Sequence, residues 1–134
     1  MSKVKRKLTT ILATDCVGFS KRMDENEELT LENLKACRSI IDPQIKEFGG
    51  RIFYTAGDSV IAEFESPVEC VNAAIGFQKA INDRNNTLPQ ESQLDWRVGI
   101  HLDDVIIEGD NVYGNGVNIA ARLETACSPG QILL

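Results

Sequence analysis

Arg51-Ile52-Phe53-Tyr54-Thr55-Ala56-Gly57-Asp58-Ser59-Val60-Ile61-Ala62-Glu63-Phe64 decides how the rest of the chain is read. Its flanks, Arg51–Tyr54 and Ser59–Phe64, are short runs rich in β-branched and aromatic residues, which suit a pleated, half-buried surface. Between them lies Thr55-Ala56-Gly57-Asp58, with a glycine where the chain must reverse. The stretch reads as a β-hairpin. Helical spacing flanks it on both sides. Upstream, Leu29, Leu31, Leu34, Cys37, Ile40, Ile41, Ile45 and Phe48 recur along Glu27–Phe48. Pro43 should kink or split that helix, and Gly49-Gly50 should stop it. Downstream, Ser66-Pro67-Val68-Glu69 offers an N-cap serine, a proline at the first helical position and a glutamate three residues after the cap. That helix should run to about Asn82 and bury Val68, Val71, Ala74, Ile75 and Ile81.

Working outward, Leu8–Thr14 reads as a buried strand, and Trp96–Leu102 and Val105–Ile107 as two more. Val117–Ala126 reads as a helix and Gln131–Leu134 as the start of a strand. Asn82–Gln93, with Asn85, Asn86 and Pro89, reads as a connection. A hairpin between two helices implies an α+β fold with a ferredoxin-like βαββαβ core. The domain is expected over residues 8–134, preceded by a basic tail, residues 1–7, carrying Lys3, Lys5, Arg6 and Lys7.

The 134 residues suffice for one domain, and the formal net charge of -6 speaks against a nucleic-acid or membrane-surface binder, since both need a positive field. Any phosphate site must then be local: a metal, a helix N-terminus or an arginine. No apolar run is long enough for a signal peptide or a membrane span. Four scattered cysteines without a CxxC spacing suit a reduced, cytoplasmic protein rather than a zinc site. His101 is the single histidine, so no scheme with two histidines is available.

Asp15 ends the first strand and Asp58 sits in the hairpin turn. A ferredoxin-like sheet places those strands side by side, so the two carboxylates should meet at one edge. Two carboxylates plus phosphate oxygens suit magnesium, which takes hard oxygen ligands and keeps several waters. Equally, Asp15 could cap a helix and Asp58 could serve only the turn. Gly18, in Cys16-Val17-Gly18-Phe19-Ser20, lets backbone N–H groups approach phosphates, or simply forms a turn. Asn118 and Arg122 lie four apart and share a helix face, where arginine can stabilise phosphoryl charge or merely be solvated.

Thr14-Asp15-Cys16-Val17-Gly18-Phe19-Ser20, Ala56-Gly57-Asp58-Ser59 and Asn111-Val112-Tyr113-Gly114-Asn115-Gly116-Val117-Asn118-Ile119-Ala120-Ala121-Arg122-Leu123-Glu124 together resemble the class III adenylate/guanylate cyclase catalytic domain, in order and in spacing. The likeness runs from Leu8 onward. It implies that Asp15 and Asp58 bind two Mg2+ ions, with Mn2+ able to substitute. It implies that amides around Gly18, Phe19 and Ser20 hold the triphosphate, that Asn118 positions the ribose and that Arg122 stabilises the transition state. It also implies a head-to-tail homodimer in which one protomer supplies the aspartates and the other the Asn and Arg. The implied reaction is attack of the ribose 3′-hydroxyl on the α-phosphate of a nucleoside triphosphate, making a cyclic-nucleotide second messenger and pyrophosphate. The contrasting reading is a non-catalytic dimerisation or sensing module, against which the four intact residues argue. A diguanylate cyclase is disfavoured, because the hairpin lacks that family's Gly-Gly-Asp/Glu-Glu-Phe turn.

Three departures qualify the likeness. The position that is usually lysine in adenylate cyclases and glutamate in guanylate cyclases is Tyr54, and the second base-reading position is Asn111. Arg51-Ile52-Phe53-Tyr54 resembles the Arg-x-x-Tyr feature of bacterial pyrimidine cyclases, which implies that Arg51, Tyr54 and Asn111 select UTP or CTP, with ATP as the alternative. Tyr54 could instead pack at a dimer interface. Asp103 stands where many members have glycine, so backbone strain is expected there. Finally, the family usually continues a few dozen residues past Leu134, so a truncated domain is expected.

Overall fold

A computed structural model describes residues 4–134. The elements run β1 (Val4–Cys16), α1 (Phe19–Glu25), α2 (Glu27–Glu47), β2 (Arg51–Ala56), β3 (Ser59–Phe64), α3 (Pro67–Asn85), β4 (Trp96–Glu108), β5 (Asn111–Tyr113), α4 (Asn115–Ala126) and β6 (Ile132–Leu133). The strands form one sheet in the order β2-β3-β1-β4-β5, antiparallel throughout, with β6 parallel to the start of β4. The expected α+β arrangement of a hairpin between two helices is present.

Alternation along β1 builds two cores. Leu12 and Cys16 face α2 and α3, where they join Ile41, Ile45, Phe64, Phe77 and Trp96. Ile11 and Ala13 face the other way, toward α4, with Val105, Val112 and Ala120. Asp15 has the parity of Ile11 and Ala13, so β1 delivers it to the α4 face. Arg97, paired with Asp15 in register, is delivered to that face as well. Gly99 lets α4 lie close to the sheet: a Cβ there would run into the backbone of Ala120 and Glu124.

Several expectations need correction. Val4–Lys7 are not a tail but the start of β1, paired with Val105–Glu108. Arg6 meets Asp104 of β4 at 3.5 Å and Lys7 meets Glu65, just past β3, at 3.6 Å, so nearby acidic residues balance the basic run. Met1–Lys3 lie outside the described residues. Pro43 does not split α2. Ile41 and Ile45, both fully buried, hold the helix on either side of it, and the Arg38 fork on Asp42 at 2.8 Å secures its outer face. Trp96–Leu102 and Val105–Ile107 are one strand, because Asp103 and Asp104 stay extended opposite Thr9 and Leu8. No described non-glycine residue has a positive φ, so Asp103 carries no glycine-type strain. Space for its side chain comes instead from Gly116, where a Cβ would sit 2.6 Å from that of Asp103. In α3 the buried stripe is Cys70, Ala73, Ala74, Phe77 and Ile81, while Val68 and Ile75 are exposed. That helix continues to Asn85, whose buried amide accepts from and donates to the backbone of Leu94.

The four cysteines are buried and free. No described helix is long and apolar enough to cross a membrane.

Candidate active site

The β1–β3 pair ends with Thr14 opposite Val60, so the hairpin turn lies beside the last residues of β1. Asp58 Oδ2 accepts the N–H of Cys16 at 2.9 Å. This bond pins one acidic side chain to the residue that follows the other. Burial raises the Asp58 pKa above the ordinary carboxylate value, the Cys16 N–H opposes that rise, and the nearby Asp15 charge adds to it.

Asp15 is itself held. Arg97 grips it with a two-pronged fork, Nε to Oδ1 and Nη2 to Oδ2, each 3.0 Å. Nη2 also lies 3.4 Å from Glu124 Oε2. Burial, followed by a hydrogen bond to Asp15 and the charge of Asp15, pushes Glu124 up to about 8. Arg97 and Glu124 escaped the sequence reading. Their signal is positional: Arg97 becomes visible only once β1 and β4 are paired, and Glu124 only once α4 is laid on Gly99.

Asp15 and Asp58 are two carboxylates near one end of β1, and no cluster of three or more acidic, histidine or cysteine side chains forms a cage among the described residues. The donors are hard oxygens, which fits magnesium completed by phosphate and water. A cation arriving at Asp15 must compete with the Arg97 guanidinium.

Gly18 adopts the left-handed conformation, φ 66°, and starts α1, a short helix absent from the sequence reading. No side chain caps that end. Phe19 turns inward against the α2–α3 core, and Ser20 is exposed. Asn118 and Arg122 are exposed and line a shallow surface depression with Ala121 and Thr125. They lie on the side of α4 opposite Ala120 and Glu124, which are buried against the sheet. Within one protomer, then, the Asn and Arg are turned away from the sheet face that holds Asp15.

Tyr54 and Asn111 come together. With Phe53, Ile61, Val112 and Val117 they line a pocket of about 270 Å³. The register of β2 shifts between Ile52, opposite Ala62, and Tyr54, opposite Ile61, so Phe53 is the extra residue of a bulge, and both aromatic residues line the pocket. Arg51 is not part of that lining. Its Nε donates to Glu63 Oε1 at 3.2 Å and its Nη1 to the Asp110 carbonyl at 2.9 Å.

The family model described as "Adenylate and Guanylate cyclase catalytic domain" matches residues 2–134. A Rhizobium meliloti (strain 1021) protein that bears an adenylate cyclase name is 36% identical over 132 residues, covering 98% of this chain and 22% of the relative. A Myxococcus xanthus serine/threonine-protein kinase is 28% identical over 132 residues and is covered for 16% of its length, so the chain spans less than a quarter of either relative. An adenylate/guanylate cyclase/hydrolase structure from Silicibacter pomeroyi superposes with a TM-score of 0.90 at 36% identity, covering 97% of this chain and 76% of that one. The adenylyl cyclase CyaB from P. aeruginosa superposes at 0.83 with 25% identity, covering 97% and 77%. The chain belongs to the adenylate and guanylate cyclase catalytic-domain family.

Proposed function

We propose that this domain converts a nucleoside triphosphate into its 3′,5′-cyclic monophosphate and pyrophosphate at a site shared between two copies of the chain. The observation that carries the reading is the Asp58–Cys16 hydrogen bond, which keeps two carboxylates at one rim of the sheet. Asp15 and Asp58 would hold divalent cations, Mg2+ or Mn2+. When bound, such ions lower the pKa of the attacking hydroxyl and neutralise phosphate charge. Amides at Gly18, Phe19 and Ser20 would hold the triphosphate. Arg122 would meet charge developing at the α-phosphorus, and Asn118 would orient the ribose. Because Asn118 and Arg122 face outward on α4, a head-to-tail partner would bring them to the other protomer's carboxylates.

For the base, a pyrimidine is favoured. The Tyr54 hydroxyl and the Asn111 amide offer a neutral donor and acceptor set, unlike a lysine and aspartate pair. The pocket of about 270 Å³ is small and aromatic-walled. ATP is the second reading, supported by the adenylate cyclase name of the Rhizobium relative. The test incubates the full-length protein with each of the four triphosphates and Mg2+ or Mn2+, and assays cyclic product and pyrophosphate together. Cyclic product from UTP or CTP ahead of ATP supports the reading, and no cyclic product from any of them refutes it.

A further inference from the structure

We propose that Arg51 is a positioning residue: anchored on Glu63, it fixes the β4–β5 turn so that Asn111 stands beside Tyr54, and in this way it tunes base choice. The inference rests on the base-pocket reading above. β2 and β5 are at opposite ends of the sheet path, with β3, β1 and β4 between them. Residues from the two can share one pocket only because the sheet curls, and something must hold the curl closed at that rim. One tie is apolar, formed where Phe53 and Val112 join the same cluster. The other is the Arg51 hydrogen bond to the Asp110 carbonyl, at 2.9 Å.

That carbonyl is well placed to control the pocket. Glu108 and Asn111 are the last pair of the β4–β5 ladder, so Gly109 and Asp110 are its two-residue turn, with Gly109 at φ 62°. The Asp110 carbonyl and the Asn111 amide belong to a single rigid peptide plane. A bond that fixes the carbonyl therefore fixes the direction in which Asn111 leaves the turn.

The guanidinium is not free to do otherwise. The Glu63 side chain is only 10% exposed, and its Oε2 is buried without a partner. Arg51 Nε lies 3.2 Å from Oε1, whereas Lys7 Nζ reaches only to 4.0 Å. A buried carboxylate strongly disfavours losing its main cationic partner. Arg51 is thus held by Glu63 and aimed at Asp110, and it does not line the base pocket itself.

The test uses the full-length protein and two substitutions made together, Arg51→Met and Glu63→Gln, which remove both charges at once. Arg51→Lys is the second variant, decisive if the first does not fold, because it keeps a charge for Glu63 but loses the fork. Tyr54→Phe is the control for the pocket. Two quantities are read: amide exchange over residues 109–113, and the ratio of kcat/KM for UTP to that for ATP. Exchange should quicken about fivefold, the scale of one net hydrogen bond of about 1 kcal/mol, while residues 59–64 keep their protection. The ratio should move by a similar factor, chiefly through KM. Unchanged exchange overturns the tether. Quickened exchange with an unmoved ratio, where Tyr54→Phe does move it, overturns the role in base choice. A ratio that Tyr54→Phe leaves unmoved sinks the pocket reading itself, and the base-choice role with it.

Discussion

Asp15 is the most contested side chain of the domain. It lies between an arginine fork and a neighbouring carboxyl whose pKa burial pushes up, and the proposed chemistry asks it to take up a cation. This arrangement has a pH signature without metal. Glu124 has its folded pKa raised from 4.5 to about 8, and Asp58 is raised as well. Stability from a raised carboxyl is fully present below its unfolded pKa and is lost as pH rises through the folded value. Thermal melts in chelator should therefore show stability falling between about pH 4.5 and about pH 8. Glu124→Gln should make that fall shallower, leaving what Asp58 contributes, and a slope unchanged by the substitution would contradict the assignment. With saturating magnesium, Asp58→Asn keeps an acceptor for the Cys16 N–H but loses the charge. Turnover should drop by about 10²–10³-fold, the range for removing one preorganised electrostatic contact, with little change in melting temperature. An equally large loss of stability would show that Asp58 serves the turn instead.

At the scale of elements, α4 and the edge strands set the geometry. Gly99 admits α4 to the sheet, so Gly99→Ala should cost about 1–3 kcal/mol of stability by overpacking and should lower activity by displacing Asn118 and Arg122 together. Unchanged melting and turnover would mean that the helix can shift freely. At the pocket, Tyr54→Lys with Asn111→Asp should raise kcat/KM for ATP relative to UTP, and an unmoved ratio would remove these residues from base reading.

The hairpin was legible because Gly57 and two β-branched runs are local signals, and so was the α3 start, where Ser66 accepts the Glu69 N–H at 3.2 Å. Other features depend on partners distant in sequence. Lys5, Arg6 and Lys7 look like a solvated tail until β4 is placed beside them. Asp103 and Asp104 look like a break until the long β1–β4 ladder is drawn. Val68 and Ile75 suggested a buried stripe that packing rotated onto Ala73 and Phe77. At the site, the family resemblance pointed to the two aspartates, Tyr54 and Asn111, of which the last two line one pocket. Arg97 and Glu124 carry no local signal, since their meaning comes from strand register and helix seating.

For the whole molecule, the proposed function turns on how two copies would meet. Asp15 and Asp58 lie at the sheet rim, while Asn118 and Arg122 look outward from α4, so in the proposed mechanism a lone protomer would hold two separate halves of the site. An interface that joins them head to tail makes two composite sites per symmetric dimer. The most direct measurement follows from that. Full-length Asp15→Asn and Arg122→Ala proteins, each inactive alone, are mixed, allowed to exchange subunits and assayed for cyclic product. Half the dimers then combine one defect from each parent and keep one intact site of two, so activity should return to about a quarter of the unsubstituted protein. A mixture that stays as inactive as its parents would contradict the shared site.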